Sequence, residues 1–130
     1  MNVFDPTAIE NSVIGLIREG GVSANVFHNR PTSLTKDLGD FVVCRISGQI
    51  NDRYTFGEAQ LAISLFAKDL SNMKNAKKLS VMQGKLLPVV PRLVDDVFIW
   101  GTPTVVGDVS DGYGYHARII QYKLTIKATQ

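Results

Sequence analysis

Residues 115–127 alternate without a break. His116, Arg118, Ile120, Tyr122, Leu124 and Ile126 fall on one side; Ala117, Ile119, Gln121, Lys123, Thr125 and Lys127 fall on the other. Successive side chains of a strand point to opposite faces, so this period predicts one long strand whose apolar side needs a covered sheet. Two further segments share that pattern. Residues 41–50 set Val42, Cys44, Ile46, Gly48 and Ile50 on one face, with Arg45, Ser47 and Gln49 on the other. Residues 58–67 carry Leu61, Ile63 and Leu65 on one face, and the short polar stretch 51–55 between them predicts a long hairpin.

Helical spacing appears twice. Asp5 before Pro6 is a start signal, Ile9, Val13, Leu16 and Ile17 form an apolar stripe, and Gly20-Gly21 ends it, with Gly20 suited to the left-handed turn. The expectation is a helix over 6–19. A second helix is expected over 71–87, capped by Ser71, with Met73, Ala76, Leu79, Met82 and Leu86 recurring at three- and four-residue steps and Pro88 and Pro91 stopping it. Residues 22–29 read as a short strand. Residues 97–106 read as another, interrupted at Gly101 and demoted to an edge or bulge by Pro103. Residues 30–40 and 108–114 read as loops. Strands grouped in hairpins pair antiparallel. The expected fold is α+β, a mostly antiparallel sheet of four or five strands with two helices packed on one face.

Length and composition suit one domain over 1–130. Apolar residues make up 45% of the chain and charged ones 20%, values that do not fit a disordered chain, a collagen-like chain or a coiled coil. Cys44 is the only cysteine, so no disulfide closes within the chain. Lys and Arg number 14 against 12 Asp and Glu, a net charge of +2 that gives no general argument for nucleic acid or membrane. No stretch approaches the roughly 20 apolar residues of a membrane helix. The first five residues lack the regions of a signal peptide. The expectation is a protein kept inside a cell or built into something assembled there.

The catalytic inventory is thin. His28 and His116 lie in strands, and no nucleophile signature accompanies them. Cys44, on an apolar face, reads as a core thiol. No metal-ligand spacing is present; Asp95-Asp96 and Asp108 with Asp111 read as turn carboxylates. Gly107, Gly112 and Gly114 lack the Lys-Ser or Lys-Thr of a phosphate loop and read as a flexible hairpin tip. We therefore expect no enzyme, cofactor or metal. Lys74, Lys78 and Lys85 return to one helix face. Such a basic stripe can meet phosphates or an acidic protein surface, but a solvated outer face of an amphipathic helix explains it more simply. Tyr54 and Phe56 flank one hairpin tip; Tyr113 and Tyr115 flank the other. They serve either as partner contacts or as lids over the core.

The order of these elements resembles the small tail-terminator proteins of long-tailed phages and prophages, and their tail-completion and head–tail joining relatives. The resemblance runs from the first helix and strand, through Arg30-Pro31 and the strand 41–50, to the hairpin ending Phe66-Ala67-Lys68-Asp69 and the helix placed directly after it. It closes on Asp111-Gly112-Tyr113-Gly114-Tyr115-His116-Ala117-Arg118 and the final strand. It implies a non-enzymatic virion protein, assembled in the host cytoplasm. Such proteins form a homo-oligomeric ring, commonly a hexamer, on the end of the tail tube protein. The ring stops tube growth, offers a head-completion protein its docking surface and lets DNA pass through its lumen. The candidate interface is Arg53, Tyr54 and Phe56, with Asp111, Tyr113 and Tyr115. A head-closure or connector role is the nearest alternative; a small α+β enzyme or ligand-binding domain and a nucleic-acid binder are the others.

Overall fold

A computed structural model describes residues 5–29, 38–47, 59–94 and 97–126. The first helix, α1 (Pro6–Glu19), starts as expected. The Asp5 carboxylate accepts from the amides of Thr7 and Ala8, at 3.0 and 3.3 Å. Its end differs in one respect. Gly20 stays right-handed at φ −76°, while Gly21 takes the left-handed turn at φ +73°. The Gly21 amide then donates to Arg18 and the Val22 amide to Ile17, closing a Schellman cap over two buried apolar side chains. Gly20 is required for space, since a Cβ there would stand 2.5 Å from Val89 Cγ1.

Strand β1 is only Val26–Phe27. The residues before it leave the strand because their side chains take over backbone groups. Ser23 Oγ accepts from the Asn25 amide and donates to the Asp40 carboxylate, and Asn25 Nδ2 donates to the Asp40 carbonyl. Strand β1 pairs parallel with β2 (Asp40–Ser47), which pairs antiparallel with β3 (Ala59–Lys68).

The chain then turns at Ser71 and Asn72, both left-handed at φ 52° and 62°. Leu70 and Met73 exchange two backbone hydrogen bonds of 2.9 Å across that turn. Ser71 therefore caps no helix. Helix α2 (Ala76–Leu86) begins five residues later than expected, and Asn75 Oδ1 accepts from the Lys78 amide. Met73, expected in the apolar stripe, lies outside the helix and is 71% exposed. A single 3-10 turn at Leu87–Val89 follows, set by Pro88.

The segment expected as one interrupted strand is two. After β4 (Leu93–Val94) come β5 (Val97–Ile99) and β6 (Thr104–Ser110), separated at Gly101 and Pro103. Strand β6 runs through Asp108, where a loop was expected. The last strand, β7 (Tyr115–Ile126), has β3 along one edge; β6 and then β5 share the other. The sheet thus has seven strands rather than four or five, in the order β1-β2-β3-β7-β5-β4 with β6 also on β7, and it is mixed because β1 is parallel.

The alternating faces fall as the pattern requires. Val42, Cys44, Leu61, Ile63, Leu65, Ile120, Tyr122 and Leu124 are buried in one cluster with Ile9, Val13, Ile14 and Ile17 of α1 and Leu79, Met82 and Leu86 of α2. Burying these side chains is the main favourable term in folding, at about 25 cal/mol per Å² of apolar surface. The other face holds a smaller cluster of Phe41, Val43, Phe66, Tyr115 and Ala117. Phe41 stacks on Phe66 at 4.3 Å between ring centres and meets the edge of Tyr115 at 5.2 Å.

Candidate functional site

One polar group on the covered face forms between β6, β7 and α2. Arg118 lies on the same side of β7 as Ile120 and extends that row past the apolar cluster. Its guanidinium donates to both oxygens of Asp108, at 2.7 and 3.0 Å, to Ser80 Oγ at 3.1 Å and to Gln83 Oε1 at 3.0 Å. Asp108 reaches it through an irregularity in β6. Val106 pairs with Ile119 and Val109 with Ala117, so three residues of β6 span two of β7. In regular pairing Asp108 would oppose Ala117 and point to the other face; the bulge turns it onto the face of Arg118. Arg118 holds the Asp108 carboxyl below its ordinary value, against the opposing effect of burial, and Lys74 adds to the lowering. The Arg118 guanidinium is raised in turn by its hydrogen bonds to Asp108.

This network accounts for two members of the basic stripe. Lys74 precedes α2 and lies 3.3 Å from Asp108 Oδ2; Lys78 lies 2.9 Å from Asp40 Oδ2. Both are ion-paired to sheet carboxylates. Lys85 stands in the last turn of α2, where a cation suits the helix dipole. The three do not form one row on a single helix.

The histidines also have carboxylate partners. His116 Nδ1 is 2.7 Å from Asp69, and His28 Nδ1 is 2.8 Å from Glu10. The second oxygen of Glu10 accepts from the Ile46 amide at 2.7 Å, which satisfies a donor on the outer edge of β2. Cys44 is fully buried, and burial, with a smaller contribution from Glu10, pushes its thiol up to about 12. That thiol is a core side chain rather than a nucleophile. Among the described residues no three His, Cys, Asp or Glu gather where they could hold a metal ion.

The candidate interface residues divide. Asp111 organises the β6–β7 tip: its carboxylate accepts from the amides of Tyr113 and Tyr115, at 2.7 and 3.1 Å, and Gly112 and Gly114 supply left-handed backbone. The tip is closed by hydrogen bonds rather than a loose glycine loop. Tyr113 is 77% exposed at its apex. Tyr115 is a correction: it is buried in the Phe41 cluster and its hydroxyl donates to the Leu38 carbonyl at 2.8 Å, so it is a lid rather than a contact surface. Arg53, Tyr54 and Phe56 lie outside the described residues, as do Asp95 and Asp96.

Two surfaces escaped the sequence reading. Strand β6 pairs with β7 alone among the described residues, so no other described strand covers its second edge, and its Val105 and Val109, on opposite faces, are 46% and 52% exposed. At the start of β6, a cavity of about 550 Å³ opens against Trp100, Gln60, Thr102, Thr104, Gln121 and Lys123. Trp100 stands at its rim with half of its surface exposed, which no periodicity in the sequence signals.

No protein-family model matches the chain, and no curated protein matches it.

Proposed function

We propose that the chain is a structural virion-assembly protein, a tail terminator. In this reading copies of it close into a ring, a hexamer, on the tail tube. The ring ends tube growth, presents the surface on which the head-completion protein docks and lets DNA pass through its lumen. The observation that carries the reading is β6, a seven-residue strand whose second edge no other described strand covers, with a half-exposed valine on each face, running into the exposed Tyr113 tip. An open edge offers backbone donors and acceptors to another chain, and a contact between two unlike patches closes into a ring when the rotation permits. The reading assigns no catalytic role. A head-closure or connector component uses the same ring logic on the portal side. A small ligand-binding domain is the second reading, and the Trp100 cavity favours it.

The test is native mass spectrometry over a wide concentration range, with negative-stain images of the same samples and co-sedimentation with tail tubes. The expected result is closed rings, and tube-end binding that caps further growth. Lysine at both Val105 and Val109 should leave the fold intact, because both are half exposed, and abolish ring closure. Rings that survive the double variant would remove the β6 edge from the interface. Monomers that bind no tube end would remove the terminator reading itself.

A further inference from the structure

Trp100 is the chain's single tryptophan, and it is held rather than free. Its indole N–H donates to Thr125 Oγ1 at 2.8 Å, and Lys123 Nζ stands 5.7 Å from the ring centre. The ring is thereby fixed beside the 550 Å³ cavity, whose volume is within the range of small-molecule sites. The side chains of Gln60, Gln121, Thr102 and Thr104 line the same cavity and make no hydrogen bond among the described residues. Each amide and each hydroxyl both donates and accepts. Among the described residues no carboxylate lines the cavity, and Lys123 is the one charged side chain that does.

We infer that this cavity is a binding site for an acidic saccharide, a sugar ring carrying a carboxylate. The indole face, negative at its π surface, meets the C–H face of a sugar ring. Hydroxyl groups, which both donate and accept, match the four amide and hydroxyl side chains better than the edges of a nucleobase, whose donors and acceptors are fixed in place. Lys123 then meets the carboxylate as a charge-assisted hydrogen bond. This inference rests on the cavity alone, so ring assembly and saccharide binding stand or fall separately.

The single tryptophan gives a direct readout, because the full chain has one indole N–H resonance. We would titrate the ¹⁵N-labelled protein with glucuronate, glucose, acetate and uridine monophosphate. Glucuronate should move the indole resonance along a saturating curve, with glucose weaker. Lys123→Met should weaken glucuronate about tenfold more than it weakens glucose. Gln121→Leu should weaken both sugars. A flat response to glucuronate at tens of millimolar would overturn the inference. So would an equal response to acetate, which would mean charge alone, or tighter binding of the nucleotide. Wild-type glucuronate affinity in the Lys123→Met variant would overturn the assigned role of Lys123 and with it the acidic class.

Discussion

Asp108 and Arg118 are the most heavily committed side chains of the described structure, with 6% and 15% of their side-chain surfaces exposed. A nearly buried carboxylate that loses its main partner keeps its desolvation penalty and forfeits most of the compensating bonds, here leaving Asp108 only Lys74. Arg118→Ala should therefore destabilise the fold by about 3 kcal/mol in urea melts, whereas Lys78→Ala, at a half-exposed ion pair, should cost less than about 1 kcal/mol. The pair also sets an acid limb. Asp108 binds its proton more weakly folded than unfolded, so its contribution is complete above the ordinary carboxylate value of 3.8 and fades as pH falls toward the folded value. Stability measured along an acid titration should fall more shallowly in Asp108→Asn than in the wild type; an unchanged slope would show that other carboxylates carry that limb. Arg118 was legible in the sequence as a member of the long alternating strand. Asp108 was not, because the bulge that turns it inward depends on pairing with a strand across the turn.

The elements differ in how local their causes are. The start of α1 is written in two adjacent residues, Asp5 and Pro6, and was read correctly. Helix α2 starts later than its cap signal predicts because Ser71 and Asn75 are both acceptable caps, and only the turn between Leu70 and Met73 decides between them. Asn75→Ala should cost about 1 kcal/mol, while Ser71→Ala should lose no cap energy, as thermal melts of the two variants would show. Gly20 makes the same point by sterics. Its backbone is ordinary right-handed helix, so the conformational argument permits alanine, yet a Cβ would collide with Val89. Gly20→Ala should destabilise by about 1–3 kcal/mol as overpacking does, and a paired Val89→Ala should recover part of that loss.

At the scale of the whole molecule, the long strand β7 organises the rest: β3 takes one edge, β5 and β6 divide the other. Ile120 and Leu124 sit at the centre of the larger cluster, fully buried. Aspartate at either should unfold the chain, by burying a charge with no partner; a folded, soluble variant in circular dichroism would mean that the strand's faces are reversed. The same organisation places the two proposed functional surfaces along one strand. The Tyr113 tip lies toward the start of β7 and the Trp100 cavity toward its end, where Trp100 bonds Lys123 and Thr125; β6 runs between them, with Thr104 at its start lining the cavity.

What the sequence by itself determined was periodicity and its direct consequences: α1, the three long strands, the side of each that is buried, the buried thiol, and the α+β class. These follow from side-chain spacing and from caps made by neighbouring residues, interactions that span a few positions of chain. The tertiary structure alone decided the parallel pairing of β1, the division of one expected strand into β5 and β6, the Phe41 cluster on the second face and the pairing of Lys74 and Lys78. Each of these depends on which distant segments meet and in what register. A shift of one residue moves every side chain of a strand to the other face, and nothing within the strand records where its partner adds the extra one.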